Sequence, residues 1–305
     1  MTKTSSSLFH LQDRSLEQLT ERQILHNHTT ADHWSLFRSH REEISRLIIQ
    51  EKTPKNSRLC VLGAGNCNDL DLALLRNFFS EIHLVDLDCE ALLAGVARQH
   101  ATDFPGLRLH CGVDVTGILK NNLRPNSRKM NIQGEDRWTH QNRVFSNLAF
   151  LGTFDIVIST CLLTQLFDSG AFLLRPQNFP VKLFKTLRMQ HLLLLAELLN
   201  LGGVGILVTD LSSSTIIQDL ANVPSENLPV LLNGLIHQNL TFRGTNPRKI
   251  ISMLEANPLL SSLVHQVQLA SPWIWNLTPR LCFIVSAIRF KRRAVLKVER
   301  PSFFL

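Results

Sequence analysis

A pair of glycines and a later aspartate have the types and the spacing that bring a backbone turn and a carboxylate to one edge of a sheet. The apolar run 58–62 stops at Gly63 and Gly65, as a buried parallel strand does where it enters a ligand-binding turn. Glycine lets the backbone turn sharply and lets a ligand approach without meeting a Cβ. A second apolar run, 82–85, ends in Asp86, about 20 residues beyond the turn, where a carboxylate accepts hydrogen bonds from ribose hydroxyls. The pattern therefore predicts a site for a ligand that contains a ribose.

The residue at the third glycine position distinguishes between two kinds of ligand that contain a ribose. A dinucleotide site has the pattern G-x-G-x-x-G, in which the last glycine allows close helix packing beneath a pyrophosphate. This chain has Asn68 at that position, followed by Asp69 and Asp71, whose negative charges would repel a pyrophosphate. A ligand with a ribose, a positive sulfonium and no phosphate suits this acidic surrounding better. An NAD-dependent oxidoreductase that uses the same turn is the alternative interpretation.

These two stretches resemble the first two motifs of class I S-adenosylmethionine-dependent methyltransferases, in which a G-x-G turn holds the amino-acid part of the cofactor and an acid ends the second strand. The resemblance extends over residues 57–210 and implies S-adenosyl-L-methionine as the cofactor and S-adenosyl-L-homocysteine as the product. The chain departs from the pattern G-x-G-x-G at Cys67. The cofactor-binding residues that the resemblance implies are Gly63, Ala64, Gly65, Asn66, Asp86, Leu87, Asp114, Val115, Ser159 and Thr160.

Two acids in this set have specific expected roles. Asp86 is preferred to Asp88 as the ribose acid because it directly follows the apolar run, whereas Asp88 suits the N-cap of the next helix. In the resembling family an acid after the third strand accepts a hydrogen bond from the adenine amino group. Asp114 matches that place, with Val115 beside the ring. The alternative for Asp114 is a simple cap of the following turn.

The fourth strand resembles the family's F-D-x-V pattern at 154–157, and its carboxyl end opens onto the crevice. The sequence has no N-P-P-Y or D-P-P-Y. Those motifs recognise a planar amide or amino nitrogen, so the analogy disfavours DNA adenine and protein glutamine as acceptors. Gln165 faces the pocket one helical turn beyond Cys161, and Cys161 itself is a weak nucleophile candidate because no histidine is locally paired with it. No residue receives a catalytic role, and a small-molecule acceptor is the expectation.

An N-terminal helical pattern adds candidate substrate contacts. Trp34, Phe37 and Arg41 stand at i, i+3 and i+7, which is one face of a helix. This face either packs on the sheet domain or lines the mouth of the cleft, as an N-terminal helix does in many enzymes that resemble this one. In the second interpretation, Trp34 and Arg41 join Gln165 as substrate-binding residues.

The order of apolar runs predicts an α/β fold with a doubly wound, seven-stranded, mostly parallel Rossmann-like sheet and an N-terminal helical extension. Two closing strands are expected at 264–269 and 281–290, separated by Pro272-Trp273-Ile274-Trp275. Such a closing pair, with one antiparallel strand, is usual for class I methyltransferases and differs from dehydrogenases. The predicted divisions are an extension at 1–54, the sheet domain at 55–290 and a basic tail at 291–305.

Charge and composition limit the partners. The chain has 305 residues, 44% of them hydrophobic, and a net charge of +7 with a pI near 9.3. The positive excess lies in a polar insertion at 121–143 and in the tail, and Trp138 is the one aromatic residue of the central insertion. Single-stranded nucleic-acid sites interleave several aromatics with basic residues, so nucleic acid is disfavoured. A non-catalytic cofactor-binding protein that acts through the insertion or the tail is the alternative outside the enzymes.

The six cysteines contain no C-x-x-C pair and no zinc-like spacing, so no metal is expected and a reducing compartment is indicated. The first residues lack the apolar segment of a signal peptide. The most apolar stretch, 191–211, is interrupted by Glu197, Asn200 and a Gly-Gly pair, which predicts a helix, a turn and a strand and no membrane span. The expectation is a cytoplasmic protein, and its oligomeric state stays open.

Overall fold

A computed structural model describes residues 21–51, 53–54, 56–115, 148–174 and 181–294, with the backbone alone at 169–174 and 181–183. Its centre is an eight-stranded sheet. The strands are β1 (Arg58–Leu62), β2 (Glu81–Val85), β3 (Leu107–His110), β4 (Phe154–Thr160), β5 (Leu199–Ser213), β6 (Val264–Leu269), β7 (Trp273–Thr278) and β8 (Leu281–Arg292).

The sheet order is β3-β2-β1-β4-β5-β8-β6, with β7 also paired to β8. Strands β1 to β5 run parallel to one another, and β8 runs antiparallel to β5, β6 and β7. The order reverses at β1, because β2 lies on one side of it and β4 on the other. The predicted α/β doubly wound fold is confirmed, and the reversal at β1 creates the crevice in which such folds bind ligands.

The sheet has one strand more than predicted. Residues 273–278, which were predicted to connect the two closing strands, form β7. Trp273 pairs with Val285 and Trp275 with Phe283, and both tryptophans are buried, as alternate residues of a strand are when one face packs on a core. Strand β8 has room for both partners because β6 pairs with its second half and β7 with its first half.

Helices cover both faces of the sheet. They are α1 (21–30), α2 (Arg38–Ile49), α3 (Leu72–Leu75), α4 (Cys89–Arg98), α5 (Leu162–Leu174), α6 (Val181–Glu197), α7 (Leu228–His237), α8 (Pro247–Ala256) and α9 (Pro258–Leu263). Alternation along β1 separates the two cores: Leu59 and Val61 pack with α2 and α4, and Cys60 and Leu62 pack with α5 and α6. The period of two in the strand thus serves two helical layers.

Several predicted boundaries were wrong in detail. The helical spacing of Leu72, Leu75 and Phe79 predicts a longer helix than the single turn α3 that forms. The helix predicted within 191–211 ends at Glu197, and the Gly202-Gly203 pair, predicted as the turn after it, lies inside β5. The register between β4 and β5 shifts at this point, so the glycines permit an irregular strand entry where they were expected to end a helix.

The N-terminal extension packs on the same core as the sheet. Ile44, Leu47 and Ile48 of α2 are fully buried, so the division at residue 54 stays a prediction. At the other end, β8 includes Lys291 and Arg292, which the sequence assigned to the tail. The predicted insertion at 121–143, with Trp138, lies outside the described residues, as does the tail from residue 295.

Candidate functional site

A cavity of about 550 Å³ lies at the carboxyl ends of β1, β4 and β5. Gly63, Thr160 and Asp210 line it from these three strands. A narrower cleft of about 60 Å³ lies beside it, and Gly63 and Gln165 line both. The sequence-predicted turn therefore stands between two recesses at the switch point of the sheet.

The turn itself is left-handed at alternate residues. Gly63 and Gly65 have φ of 78° and 44°, and Cys67 has φ of 54°. The amides of Gly63 and Ala64 donate to the carbonyl oxygen of Val85, over 2.9 and 3.3 Å, which fixes the turn to β2. Cys67 stands at the last position of G-x-G-x-G, so a fully buried side chain occupies a backbone conformation that favours glycine.

Asp86 holds this turn in place. Its Oδ2 accepts a hydrogen bond of 2.7 Å from the Gly65 amide, and its Oδ1 accepts one of 2.9 Å from the Asp88 amide. Burial raises the pKa of the Asp86 carboxyl, and these amide donors act in the opposite direction. Each oxygen has a further lone pair, and Asp86 lines the narrow cleft. Its role toward a ribose stays a prediction.

Asp88 has the N-cap role that was preferred for it. Its Oδ1 accepts from the Ala91 amide at 3.1 Å, and its Oδ2 accepts from Asn27 Nδ2 at 3.0 Å. Both carboxylate oxygens are thus engaged by α4 and by α1.

The narrow cleft brings together predicted residues from β2 and from the segment after β3. Asp86, Leu87, Asp114 and Val115 all line it. The amide of Val113 donates to the Asp86 carbonyl oxygen over 3.1 Å, which ties the two segments at this edge. The predicted ribose and adenine residues therefore share one recess.

Helix α1 covers the glycine turn. The Asn66 amide group donates to Asn27 O at 2.5 Å and to Thr30 Oγ1 at 3.1 Å, and Asn68 Nδ2 donates to Thr30 O at 2.7 Å. Gln23 completes this side and lines both recesses. The sequence analysis missed this helix as a site element, although Gln23, Asn27 and Thr30 have the i, i+4, i+7 spacing of one polar face.

Two backbone amides at the start of α3 are already hydrogen-bonded to side chains of the protein. The Leu72 amide donates to Gln99 Oε1, and the Leu74 amide donates to the N-cap side chain of Asp71, each over 2.9 Å. Asn68, at the place of the third glycine, accepts from Arg98 at its side chain over 2.7 Å. This end of the helix is satisfied from within the protein.

Three predicted site residues lie outside the linings of both recesses, among the described residues: Trp34, Arg41 and Ser159. Residues 31–37 form turns and α2 begins only at Arg38, so the helical spacing of Trp34 and Arg41 does not exist. The Arg41 guanidinium lies 3.5 Å from the centre of the Trp34 ring and donates to Asn68 O at 2.9 Å. This pair supports the turn from behind, and Phe37 lines the cavity.

Ser159 faces the opposite side of the sheet from Thr160, because successive strand residues alternate. The Ser159 hydroxyl is hydrogen-bonded to His191 Nε2 at 2.9 Å, and both residues are buried. The Thr160 hydroxyl donates to Gly63 O at 3.0 Å, at the cavity. The sequence placed both residues at the cofactor site, but only Thr160 lines the cavity.

Asp69 contributes a carboxyl group to the cavity next to the glycine turn. Burial raises its pKa to about 7. Its Oδ1 has no hydrogen-bond partner among the described residues, and the nearest basic nitrogen is His40 Nε2 at 3.5 Å. His40 Nδ1 accepts from Trp273 Nε1 at 2.9 Å, and burial lowers the pKa of His40 to about 3. The histidine is therefore neutral, and the Asp69 carboxylate lacks a cationic neighbour in contact.

Asp210 is a second buried acid of the cavity and was missed by the sequence analysis. It precedes a register shift in β5, between Asp210 and Ser212, and such bulges re-aim side chains beside functional sites. Its Oδ1 accepts from Thr164 Oγ1 at 2.8 Å, and burial raises its pKa to about 6. The available signal was an acid at the end of the apolar run 204–209.

Aromatic side chains form much of the remaining cavity wall. They are Phe37, Phe167, Phe184, Phe242, Trp275 and Phe283. Cys161 also lines the cavity, with φ of 47°. Burial raises the pKa of its thiol well above the ordinary value, so the thiol stays protonated and does not act as a thiolate nucleophile.

Two classes of feature are absent from the described part of the chain. None of its helices combines the length and the apolar character that crossing a membrane requires. Its His, Cys, Asp and Glu side chains form no group of three or more suited to a metal ion.

Comparisons with known proteins give likenesses of fold at low sequence identity. An rRNA methylase from Streptococcus thermophilus is 10% identical, over 82% of this chain and 95% of the other, with a TM-score of 0.41. The YcgJ protein from Bacillus subtilis is 14% identical, over 84% and 100%, with a TM-score of 0.45. The N-methyltransferase NodS from Bradyrhizobium japonicum WM9, in complex with S-adenosyl-L-homocysteine, is 9% identical, over 85% and 88%, with a TM-score of 0.41.

No protein-family model matches the chain, and no curated protein matches it. At TM-scores below 0.5, the structural likenesses assign neither an activity nor a substrate.

Proposed function

We propose that this protein is an S-adenosylmethionine-dependent methyltransferase that acts on a small-molecule acceptor. The observation that carries the proposal is the composition of the switch point. A left-handed G-x-G turn, an acid at the end of β2 and an acidic cavity meet there. The helix start that would bind a pyrophosphate is capped by Asp71 and Gln99. This combination suits a ribose and a cation without phosphate.

The residues present fit the parts of this cofactor. Asp86 and Leu87 would hold the ribose, and Asp114 and Val115 the adenine, because all four line one narrow cleft. Asp69, whose carboxyl group lines the cavity next to the glycine turn, would attract the ammonium group of the amino-acid part. The acidic cavity beside the turn also favours the positive sulfonium.

When bound, the cofactor supplies a methyl group on a positive sulfur. The chain's own contribution is to align the acceptor and to exclude water, which together account for a large part of the rate enhancement of such displacements. Helix α1 performs the second task, since Asn27 and Thr30 accept hydrogen bonds from the turn at Asn66 and Asn68. A cleft of about 60 Å³ is smaller than a nucleoside, so binding requires its lining segments to move apart; α1, which lines it through Gln23, is one of them.

A small acceptor is supported by the size of the main cavity. Its volume of about 550 Å³ lies within the range of roughly 300–1,000 Å³ that is typical of small-molecule pockets. The same cavity would also hold the amino-acid part of the cofactor beside Gly65 and Asp69, so the acceptor would occupy only part of this volume.

Calorimetric titration with S-adenosylmethionine, S-adenosylhomocysteine and NAD in parallel tests the proposal. We expect the first two ligands to bind and NAD to show no heat of binding. The Asp69→Asn variant, which keeps the shape and removes the charge, should bind S-adenosylhomocysteine about tenfold more weakly. The matched control is Asp103→Asn, at an exposed residue outside the site. Binding of NAD alone, or of none of the three, would contradict the proposal.

A further inference from the structure

The part of the cavity farthest in sequence from the glycine turn combines a buried acid with aromatic rings. Asp210 is 7% exposed and accepts a hydrogen bond from Thr164 at 2.8 Å. It lines the same cavity as Phe242, Trp275 and Phe283. These residues come from β5, the segment before α8, β7 and β8, so the last third of the chain builds this end of the site.

The aromatic rings support one another as a connected wall. The Phe242 and Phe283 rings meet edge to face with centroids 6.0 Å apart, and the Trp275 and Phe283 rings are 5.4 Å apart. Trp275 also packs on Phe37 at 5.3 Å. A wall of this kind gives a flat apolar body a fixed contact surface, and its ring faces attract cations.

The buried carboxyl group of Asp210 favours a cationic guest. Among its described lining residues, the carboxyl groups are those of Asp69, Asp168 and Asp210, and the guanidinium groups are those of Arg22 and Arg243. The Arg243 guanidinium lies 4.9 Å from the centre of the Phe184 ring. Since Asp69 is assigned to the cofactor, the acids and the guanidinium groups that remain are equal in number. The case for a cationic guest is therefore Asp210 itself, because a buried carboxylate gains most from a partner of opposite charge.

We propose that the acceptor is an amine with a flat or apolar body, and that its nitrogen binds at Asp210 while its body packs on the Phe242–Phe283–Trp275 wall. This inference rests on the proposed methyltransferase function and specifies its substrate class. A hydroxyl acceptor would gain neither the ion pair with Asp210 nor the attraction of the ring faces for a cation.

Asp210 also has a place in the proton balance. An ammonium acceptor has no lone pair, so it gives one proton to the Asp210 carboxylate, which becomes a neutral carboxylic acid. The nitrogen lone pair then forms the bond to the methyl carbon, and the electron pair of the broken sulfur–carbon bond stays on the sulfur. Burial raises the pKa of Asp210 to about 6, which brings it nearer to the range of a general base that works close to neutral pH.

Calorimetry on the protein saturated with S-adenosylhomocysteine tests this assignment with probes of one shape. The probes are 3-phenylpropylamine, 3-phenylpropanol and 3-phenylpropanoate, which share a body and differ in charge. We expect the amine to bind at least about tenfold more tightly than the other two. Asp210→Asn should abolish this preference and leave the affinity for S-adenosylhomocysteine unchanged.

Two further variants separate charge from folding. Thr164→Val removes the hydroxyl that donates to Asp210 and keeps the carboxylate, so the amine preference should fall by less than in Asp210→Asn. Asp103→Asn, outside the cavity, should retain it. Equal binding of the amine and the alcohol, or an unchanged preference in Asp210→Asn, overturns the amine assignment while the cofactor site stands. Failure of S-adenosylhomocysteine to bind overturns the proposed function and this inference with it.

Discussion

The surroundings of Asp210 favour the neutral form of its carboxyl group. Burial raises its pKa to about 6, and the negative charge of Asp168 acts in the same direction. The hydroxyl of Thr164 opposes this by donating to Oδ1. A folded state that binds a proton more tightly than the unfolded state gains stability as the pH falls through that pKa. Above pH 6 the ionised Asp210 therefore lowers the free energy of unfolding. Functional sites often retain groups that destabilise the fold in this way.

The Asp210→Asn variant should unfold at higher urea concentration than the wild type at pH 8. A rise of about two pKa units corresponds to at most about 3 kcal/mol. The advantage should shrink as the pH falls through 6, be small at pH 4, and vanish only below about pH 3, where the acid is protonated in the unfolded state as well. Urea unfolding curves at pH 8, 6 and 4 measure this difference.

Comparison with the wild type at each pH cancels the contributions of His40 and His191, whose pKa values burial lowers to about 3 and about 4. Asp103→Asn is the control and should change little, because Asp103 is exposed. A variant that is no more stable than the wild type at pH 8 would show that the carboxylate is better solvated than its burial indicates.

The backbone at Cys67 is strained. It is fully buried and has φ of 54°, a conformation that costs an L-residue roughly 1–2 kcal/mol and a β-branched one more. The chain tolerates it because the Cys67 amide donates to Ala64 O at 2.7 Å and Gln99 Nε2 donates to Cys67 O at 2.9 Å.

Valine at this position should destabilise the fold by about 1–2 kcal/mol more than the same change at Cys60. Cys60 is also fully buried but lies in β1 with an ordinary strand backbone, so the pair isolates the effect of φ. Denaturant unfolding of Cys67→Val and Cys60→Val measures the difference. Equal losses would show that packing, and not the left-handed backbone, limits position 67.

Sequence patterns alone predicted the site residues whose placement depends only on their neighbours along the chain. Gly63, Gly65 and Asp86 follow directly from strand ends, and the structure joins them through the Gly65–Asp86 hydrogen bond. The sequence did not show which of Ser159 and Thr160 faces the cavity, because this depends on the register of β4 in the sheet. The role of Asp210 depends on a bulge, and an apolar run does not reveal where its register shifts.

At the scale of elements, α4 packs against the glycine turn through a residue that has no side chain. A Cβ on Gly95 would overlap the carbonyl oxygen of Asn66 and lie 3.1 Å from Cys67 Cβ. The helix and the turn therefore approach as closely as two backbones allow, and α4 fixes the position of the turn relative to β2. The helix boundary at Asp88 was predictable from its N-cap, but this contact depends on tertiary packing.

Gly95→Ala should displace the turn, cost about 1–3 kcal/mol and weaken binding of S-adenosylhomocysteine. The matched control is Gly234→Ala in α7, where a Cβ would have no described atom within 4 Å. That change should instead stabilise the helix by about 0.5–1 kcal/mol. Thermal unfolding with calorimetry on both variants checks the contrast, and equal effects at the two glycines would refute the close approach.

For the molecule as a whole, the N-terminal segment is held by the last hairpin of the sheet. The Trp273 indole donates to His40 Nδ1 at 2.9 Å, and His33 Nδ1 is hydrogen-bonded to Leu277 O at 2.7 Å. The His40 ring also stacks on Trp275 with centroids 4.6 Å apart. These contacts fix α2 and the segment between α1 and α2 against β7, whose Trp275 belongs to the aromatic wall.

A double-mutant cycle on His40 and Trp273 measures this connection. His40→Leu leaves a buried indole N–H without its acceptor and should cost about 1–3 kcal/mol. Trp273→Phe in the same protein should recover part of that loss, with a coupling energy of about 0.5–3 kcal/mol. Urea unfolding followed by tryptophan fluorescence supplies all four stabilities, and strictly additive losses would contradict a direct interaction.

Because His40 and Trp273 are far apart in sequence, their contact can form only late in the synthesis of the chain. A ribosome adding about 5–20 residues per second delivers Trp273 roughly 10–50 seconds after His40, since 233 positions separate them. Strands β1 to β5 have by then left the exit tunnel and can pair, while α2 and the segment between α1 and α2 still lack their hydrogen-bond partners in the final hairpin. Ligand binding is therefore among the last properties that the polypeptide acquires, and a chain released before the final hairpin carries the sheet without a closed site.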